Sequence, residues 1–163
     1  MTYLRIILIM LLALTISCSI KPNETNVNEI EGSTTDEEFF NTSDYMGMPI
    51  IINFWYPSCP PCAKELPSLA KFNAQNKDDI ITLGIIHDSL LDSKEDYLGM
   101  IKKFEITYPN IFDQDGTIGE KYEILGFPTT IFLDKNHVLV KKWTGFLTEE
   151  TLEEYSQLIV EQK

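Results

Sequence analysis

Apolar residues fall along this chain in short runs with polar groups between them. Residues 50–55, IIINFW, are apolar except for Asn53, the pattern of a strand buried on both faces. Residues 80–86, IITLGII, repeat it. Between them Leu66, Leu69, Ala70 and Phe72 recur at helical spacing, predicting a helix from about Cys62 to Gln75. Pro60 and Pro61 suit its first turn, where a missing N–H costs little. Pro67 lies inside it and is expected to kink it. A second helix is predicted over Ser93–Phe104, capped by Ser93, with Tyr97, Leu98, Ile101 and Phe104 as its stripe.

The C-terminal half continues the alternation. Tyr108–Phe112 reads as a short extended piece and Ile118–Tyr122 as a short helix. Residues 126–145, GFPTTIFLDKNHVLVKKWTG, read as strand, turn at Asp134 to Asn136, strand. Thr148 caps a last helix to about Val160, with Glu149 and Glu150 near its positive end. Strand, helix, strand, helix, hairpin and helix predict an α/β sandwich with a parallel and an antiparallel half. No internal repeat is visible.

The first 20 residues differ. Arg5 is their only charge, and Ile6 to Ile16 is apolar apart from Thr15. The run falls short of the roughly 20 residues of a membrane span and fits a signal-peptide core. Three readings follow: a cleaved secretory signal, an uncleaved anchor, and a lipoprotein signal with Cys18 carrying the lipid. LTISC resembles a lipobox, with small Ser17 before the cysteine and Thr15 where Leu is preferred. We favour the lipoprotein. The expected organisation is a signal peptide at 1–17, a flexible acidic tether at 18–38, and one domain at 39–163.

Charge narrows the partners. Beyond residue 17 the chain has 12 Lys and 25 Asp or Glu, a net charge of −13. Such a surface argues against nucleic acid and against binding anionic lipid by charge. A covalent anchor would supply what the surface lacks.

The chain has three cysteines. If Cys18 is lipidated, Cys59 and Cys62 remain as one pair. A chain of this length can build a core without a staple, and a two-residue spacing closes almost no loop. Cys59 sits at the head of the predicted helix, where the dipole and free N–H groups stabilise a thiolate. It is the expected nucleophile, exposed at the tip. Cys62, one turn later and more buried, is the expected resolving thiol. A lone CxxC is equally half of a zinc site.

FWYPSCPPC, Pro67 and GFPTTIFLD together resemble the thioredoxin superfamily. CPPCAKE (59–65) and the signal resemble its TlpA/ResA-like extracytoplasmic branch. The resemblance covers about residues 39–161 and implies a three-layer sandwich with a mixed central sheet flanked by helices. It implies a membrane-tethered thiol–disulfide oxidoreductase on the outer face of a bacterial cell membrane. Such a protein reduces disulfides of exported proteins such as apocytochrome c. It takes electrons from a membrane donor, acts as a monomer, and needs no cofactor beyond the Cys59–Cys62 disulfide. Trp55, Pro60, Pro61, Phe127 and Pro128 match the substrate-contacting positions, with Pro128 as the family's cis-proline. Asn53 stands where cytoplasmic thioredoxin has a buried Asp. Glu65, read alone, is an ordinary solvated helix residue. The resemblance implies that it handles protons for Cys62, with a raised pKa if buried. Pro61 removes an N–H from the Cys59 thiolate, which is expected to make the pair more reducing.

Other candidates have bland readings. His87 and His137 are expected to be surface histidines rather than ligands of a Cys2His2 zinc site. Trp143 and Phe146 read as core or sheet-edge packing, and Glu149 to Glu154 as a solvated helix face. Two functional alternatives stand beside the reductase: a non-catalytic thioredoxin-fold binding module, and a thiol peroxidase. Against the peroxidase, Tyr56 occupies the position where peroxiredoxins want Thr or Ser.

Overall fold

The computed structural model describes residues 29–161. Its centre is strand β3 (Ile50–Trp55), with every residue buried. β3 pairs in parallel with β4 (Ile81–His87), which pairs in parallel with β5 (Asn110–Asp113). On its other side β3 pairs antiparallel with β6 (Thr129–Leu133), which pairs antiparallel with β7 (Leu139–Thr144). The sheet order is therefore β5-β4-β3-β6-β7. The near-continuous apolar runs of β3 and β4 follow from cover on both faces.

Four helices supply that cover: α1 (Pro60–Asn76), α2 (Lys94–Lys103), α3 (Thr117–Lys121) and α4 (Glu149–Glu161). Strand period sends Ile51, Asn53 and Trp55 to one face, where Leu66, Leu69 and Phe72 of α1, Tyr97 of α2 and Leu152 and Ile159 of α4 complete the core. Ile50, Ile52 and Phe54 face the other layer, with Leu83, Ile85 and Ile131 and, from the side, Ile118 of α3 and Tyr122. The caps lie where their side chains place them. Ser93 forms a capping box with Asp96, and the Thr148 hydroxyl accepts the Thr151 N–H at 3.1 Å. α1 continues through Pro67.

The folded part begins earlier than expected. Residues 29–38, assigned above to the flexible tether, belong to the domain. β1 (Glu31–Ser33) pairs antiparallel with β2 (Phe39–Asn41). Ile30 and Phe40 are buried, and the Ile30 N–H donates to the Thr42 hydroxyl at 2.9 Å. The hairpin lies against β5 through a Thr34–Ile111 bridge and a Thr35 N–H to Asn110 C=O bond of 2.8 Å. It covers an open sheet edge. The acidic composition of the segment hides one apolar anchor, Ile30, whose partner Phe40 lies ten residues on.

Candidate active site

The site forms where β3 ends. Tyr56 to Ser58 turn the chain, and the Cys59 N–H donates to the Tyr56 carbonyl at 3.3 Å. Cys59 is the N-cap of α1, with Pro60 and Pro61 in the first turn. Neither proline has an N–H, so the first donor able to reach the Cys59 sulphur is the Cys62 N–H, at 3.3 Å. Cys59 and Cys62 are joined in a disulfide, with Cα atoms 5.2 Å apart.

Two expectations are corrected here. Cys59 is not exposed at the tip: it retains 2% of its surface, against 0% for Cys62. Both sulphurs belong to the apolar cluster of Trp55 and Leu66, with Tyr56 and Phe127 packed at its edge. The exposed residues of the turn are Ser58, Pro60 and Pro61. Trp55, assigned above to substrate contact, is fully buried. Its indole N–H donates to Asn110 Oδ1 at 3.2 Å, and its role here is to tie β3 to β5 beneath the site. A side chain pointing into the sheet's helical layer cannot also face a substrate.

The second wall is the segment before β6. The Phe127–Pro128 bond is cis. The Phe127 ring stacks on His87 with centroids 4.7 Å apart and meets Tyr56 edge-on at 5.1 Å. The Pro128 carbonyl accepts the Gly145 N–H at 2.8 Å, with Gly145 at a φ of +108° that favours glycine.

Beneath the disulfide lies a buried polar cluster. Glu65, one turn after Cys62, is 1% exposed rather than solvated. Its Oε1 accepts from Asn53 Nδ2 at 2.8 Å and its Oε2 from the Leu147 N–H at 2.7 Å. Asn53 Nδ2 also donates to Thr130 Oγ1 at 3.0 Å. Burial pushes the Glu65 carboxyl up to about 7; the Leu147 and Asn53 hydrogen bonds pull the other way and lose. The neighbouring Tyr108 phenol is also raised, chiefly by burial and further by the Glu65 charge. Thr130, Leu147 and Tyr108 were missed by sequence reasoning, because strand pairing and loop closure bring them in from over 40 residues away. The sign available for Thr130 was its place two residues after Pro128.

The histidines part company. β4 ends at His87 beside the disulfide, whereas His137 sits in the β6–β7 turn at the opposite end of the sheet. His137 is 2% exposed, which corrects its reading as a surface residue. The tight turn at Asp134, whose carboxylate accepts the Asn136 and Val138 N–H groups, folds it inward. Among the described residues no group of three or more His, Cys, Asp or Glu is placed to hold a metal ion. Trp143 packs on Tyr155 at 5.8 Å, and Lys64 lies 4.4 Å over the Phe146 ring. Cys18 lies outside the described residues. Among those described, no helix is long and apolar enough to cross a membrane.

The chain is similar in sequence and in fold to known proteins. The Redoxin family profile matches residues 21–159. The chain belongs to the Redoxin family. Relatives of this Redoxin include sporulation thiol-disulfide oxidoreductase A of Bacillus subtilis, 30% identical over 114 residues, covering 68% of each chain. The thiol-disulfide oxidoreductase ResA of the same organism is 28% identical over 125 residues, covering 77% of this chain and 69% of the relative. Among solved structures, StoA from Bacillus subtilis superposes with a TM-score of 0.69 at 26% identity, covering 78% of this chain and 96% of that one. The exposed lipoprotein thioredoxin Etrx1 of Streptococcus pneumoniae gives 0.69 at 26%, covering 79% and 98%. The fold of this Redoxin is thioredoxin-like. Its chemistry is that of a thiol–disulfide oxidoreductase, a dithiol that closes to a disulfide.

Proposed function

We infer that the protein reduces disulfides in exported proteins, apocytochrome c among them, from the outer face of the cell membrane, held there through Cys18. The observation that carries this reading is the Cys59–Cys62 disulfide at the head of α1, with the buried Glu65 carboxyl one helical turn beyond the resolving cysteine. In the reduced protein the Cys59 thiolate attacks a substrate disulfide. One S–S bond breaks, a mixed disulfide forms, and the first substrate sulphur leaves and takes a proton. Cys62 then gives its proton to the Glu65 carboxylate and attacks the Cys59 sulphur. The second substrate sulphur leaves and is protonated, and the protein is left with the Cys59–Cys62 disulfide. The substrate has gained two electrons and two protons; a membrane donor returns the same to the protein. A carboxyl titrating near 7 is suited to both directions of this transfer at neutral pH.

Two features support the reducing direction. Among the described residues one backbone N–H reaches Cys59 Sγ, so its thiolate is less stabilised than on a proline-free helix head. Asn53 cannot take a proton, which leaves that task to Glu65. The N-terminal apolar run and the likeness to a pneumococcal exposed lipoprotein support the location.

The test is the reduction potential of the pair, equilibrated against glutathione and dithiothreitol. A value near thioredoxin's, about −270 mV, supports the reductase. A value near DsbA's, about −120 mV, reverses the electron flow and sinks the reading.

A further inference from the structure

The mouth of the site has two apolar walls and an acidic rim. On one side a cavity of about 550 Å³ is lined by His87, Phe127, Ile124, Leu125, Glu120 and Glu123. Leu125 is 97% exposed on its edge. Among the described residues no Lys or Arg lines this cavity. The two lysines that flank it in sequence or in the sheet are both held by backbone carbonyls, Lys142 by that of the cavity-lining residue Glu123 among them. Lys142 Nζ donates to the Tyr122 and Glu123 carbonyls at 2.9 and 2.6 Å, and Lys121 Nζ to the Glu29 carbonyl.

On the other side runs the loop 88–92, DSLLD. One end continues from His87 in the cavity wall. The other is fixed by Asp92, whose Oδ2 accepts from the Ser58 hydroxyl at 2.8 Å, one residue before Cys59. At its tip Leu90 and Leu91 are out in solvent, 104% and 82% exposed. Two adjacent solvent-exposed leucines on a loop tied through Asp92 to the residue before Cys59 form a patch of the kind that marks a binding surface. Asp88 and Asp92 stand at the two ends of the loop, and the solvent-exposed Glu120 and Glu123 line the cavity. Apolar contact and single-sign charge together select a partner.

We propose that this cleft is a substrate subsite for an extended protein segment carrying an apolar side chain and a Lys or Arg beside its disulfide cysteine. The apolar side chain enters the cavity between Phe127 and Leu125. The cationic group meets Glu120 and Glu123, and the Leu90–Leu91 loop closes on the other flank. The subsite rests on the reductase reading and gives that reading its substrate class.

Two disulfide-looped peptides, identical except for Lys-Leu or Glu-Leu beside one cysteine, provide the probe. The readout is the second-order rate constant for oxidation of the reduced full-length protein. At low salt the cationic peptide is expected to react about tenfold faster, a steering effect of ordinary size. In 1 M NaCl, where the Debye length falls to about 3 Å, the two rates should converge. Serine in place of the leucine should slow the cationic peptide about tenfold. The double variant Glu120→Gln/Glu123→Gln should bring the two peptides within about twofold of each other. Equal rates at low salt overturn the subsite. So does a preference retained in the double variant, which would assign it to the diffuse negative charge of the chain. Failure of the reduced protein to react even with neutral 2-hydroxyethyl disulfide would overturn the redox reading beneath it.

Discussion

The substitution Glu65→Gln isolates the cost of burying this carboxylate. The carboxyl titrates near 4.5 in an unfolded chain and about 7 in the folded one. Below pH 4.5 it is protonated in both states and its contribution is fully present. As pH rises from 4.5 to 7 the unfolded chain releases the proton first, so stability falls. Above 7 the loss is complete, at about 3 kcal/mol, taking about 1.4 kcal/mol per pH unit. The glutamine variant has no such titration. Its side-chain amide oxygen can accept the Leu147 N–H, and its NH₂ can donate to Asn53 Oδ1, which has no partner among the described residues, once the Asn53 amide turns over. Thr130 Oγ1 can then donate to the same oxygen. The assay is urea unfolding of the oxidised proteins at pH 5 and pH 8. The variant should gain about 2 to 3 kcal/mol on wild type between those two values. A difference that stays constant from pH 5 to pH 8 would refute the raised pKa and the proton role built on it.

Further outcomes follow from the same geometry. Cys62→Ser should accumulate mixed disulfides with substrate proteins, seen on non-reducing gels, while Cys59→Ser accumulates none. In the reduced protein, Glu65→Gln should slow the release step as read by single-turnover kinetics, most strongly at neutral pH, by about a hundredfold or more if Glu65 takes the Cys62 proton. Gly84→Ala would place a Cβ 1.9 Å from Asn110 Oδ1 and 3.2 Å from the Trp55 indole nitrogen. It should cost at least about 3 kcal/mol in denaturant unfolding, through overpacking and loss of the Trp55–Asn110 bond. Ser93→Ala should cost about 1 kcal/mol, by removing one half of the α2 capping box.

The centre of the sheet was legible because β3 and β4 are apolar on both faces and α1 keeps its stripe. In α2 Tyr97 is buried as expected, whereas Leu98, placed in the same stripe, is exposed. Ser93 and Thr148 announced their helices because a capping hydroxyl is a local signal. The β1–β2 hairpin was not legible, since Ile30 and Phe40 act as a pair only when folded onto β5. At the site, spacing gave the cysteines, and the family resemblance gave Glu65 and, from the separate GFPTTIFLD stretch, Pro128. Local sequence could not say that Cys59 turns inward or that Trp55 binds Asn110, for both depend on what fills the layer beneath. The Asn53–Glu65–Thr130 contacts join two strands and a helix, so no window of sequence contains them. His137 was misplaced for the reverse reason: a turn residue normally faces water, and the Asp134 carboxylate folds this one in.

The stretch after β7 has a consequence for anyone wishing to move this chemistry to another protein. The Gly145 N–H holds the Pro128 carbonyl, and the Leu147 N–H holds the Glu65 carboxylate. Two residues apart, these N–H groups fix the shelf on which a substrate would rest and the carboxyl below the thiols. A host given only the CPPC turn would receive the sulphurs without either support. The portable unit is therefore discontinuous. It comprises the turn and helix through Glu65, the Phe127–Pro128 corner, and a loop of the length found between Thr144 and Thr148. Lengthening that loop by one residue would pull both supports out of register at once, leaving a dithiol still able to close but poorly able to engage a substrate disulfide.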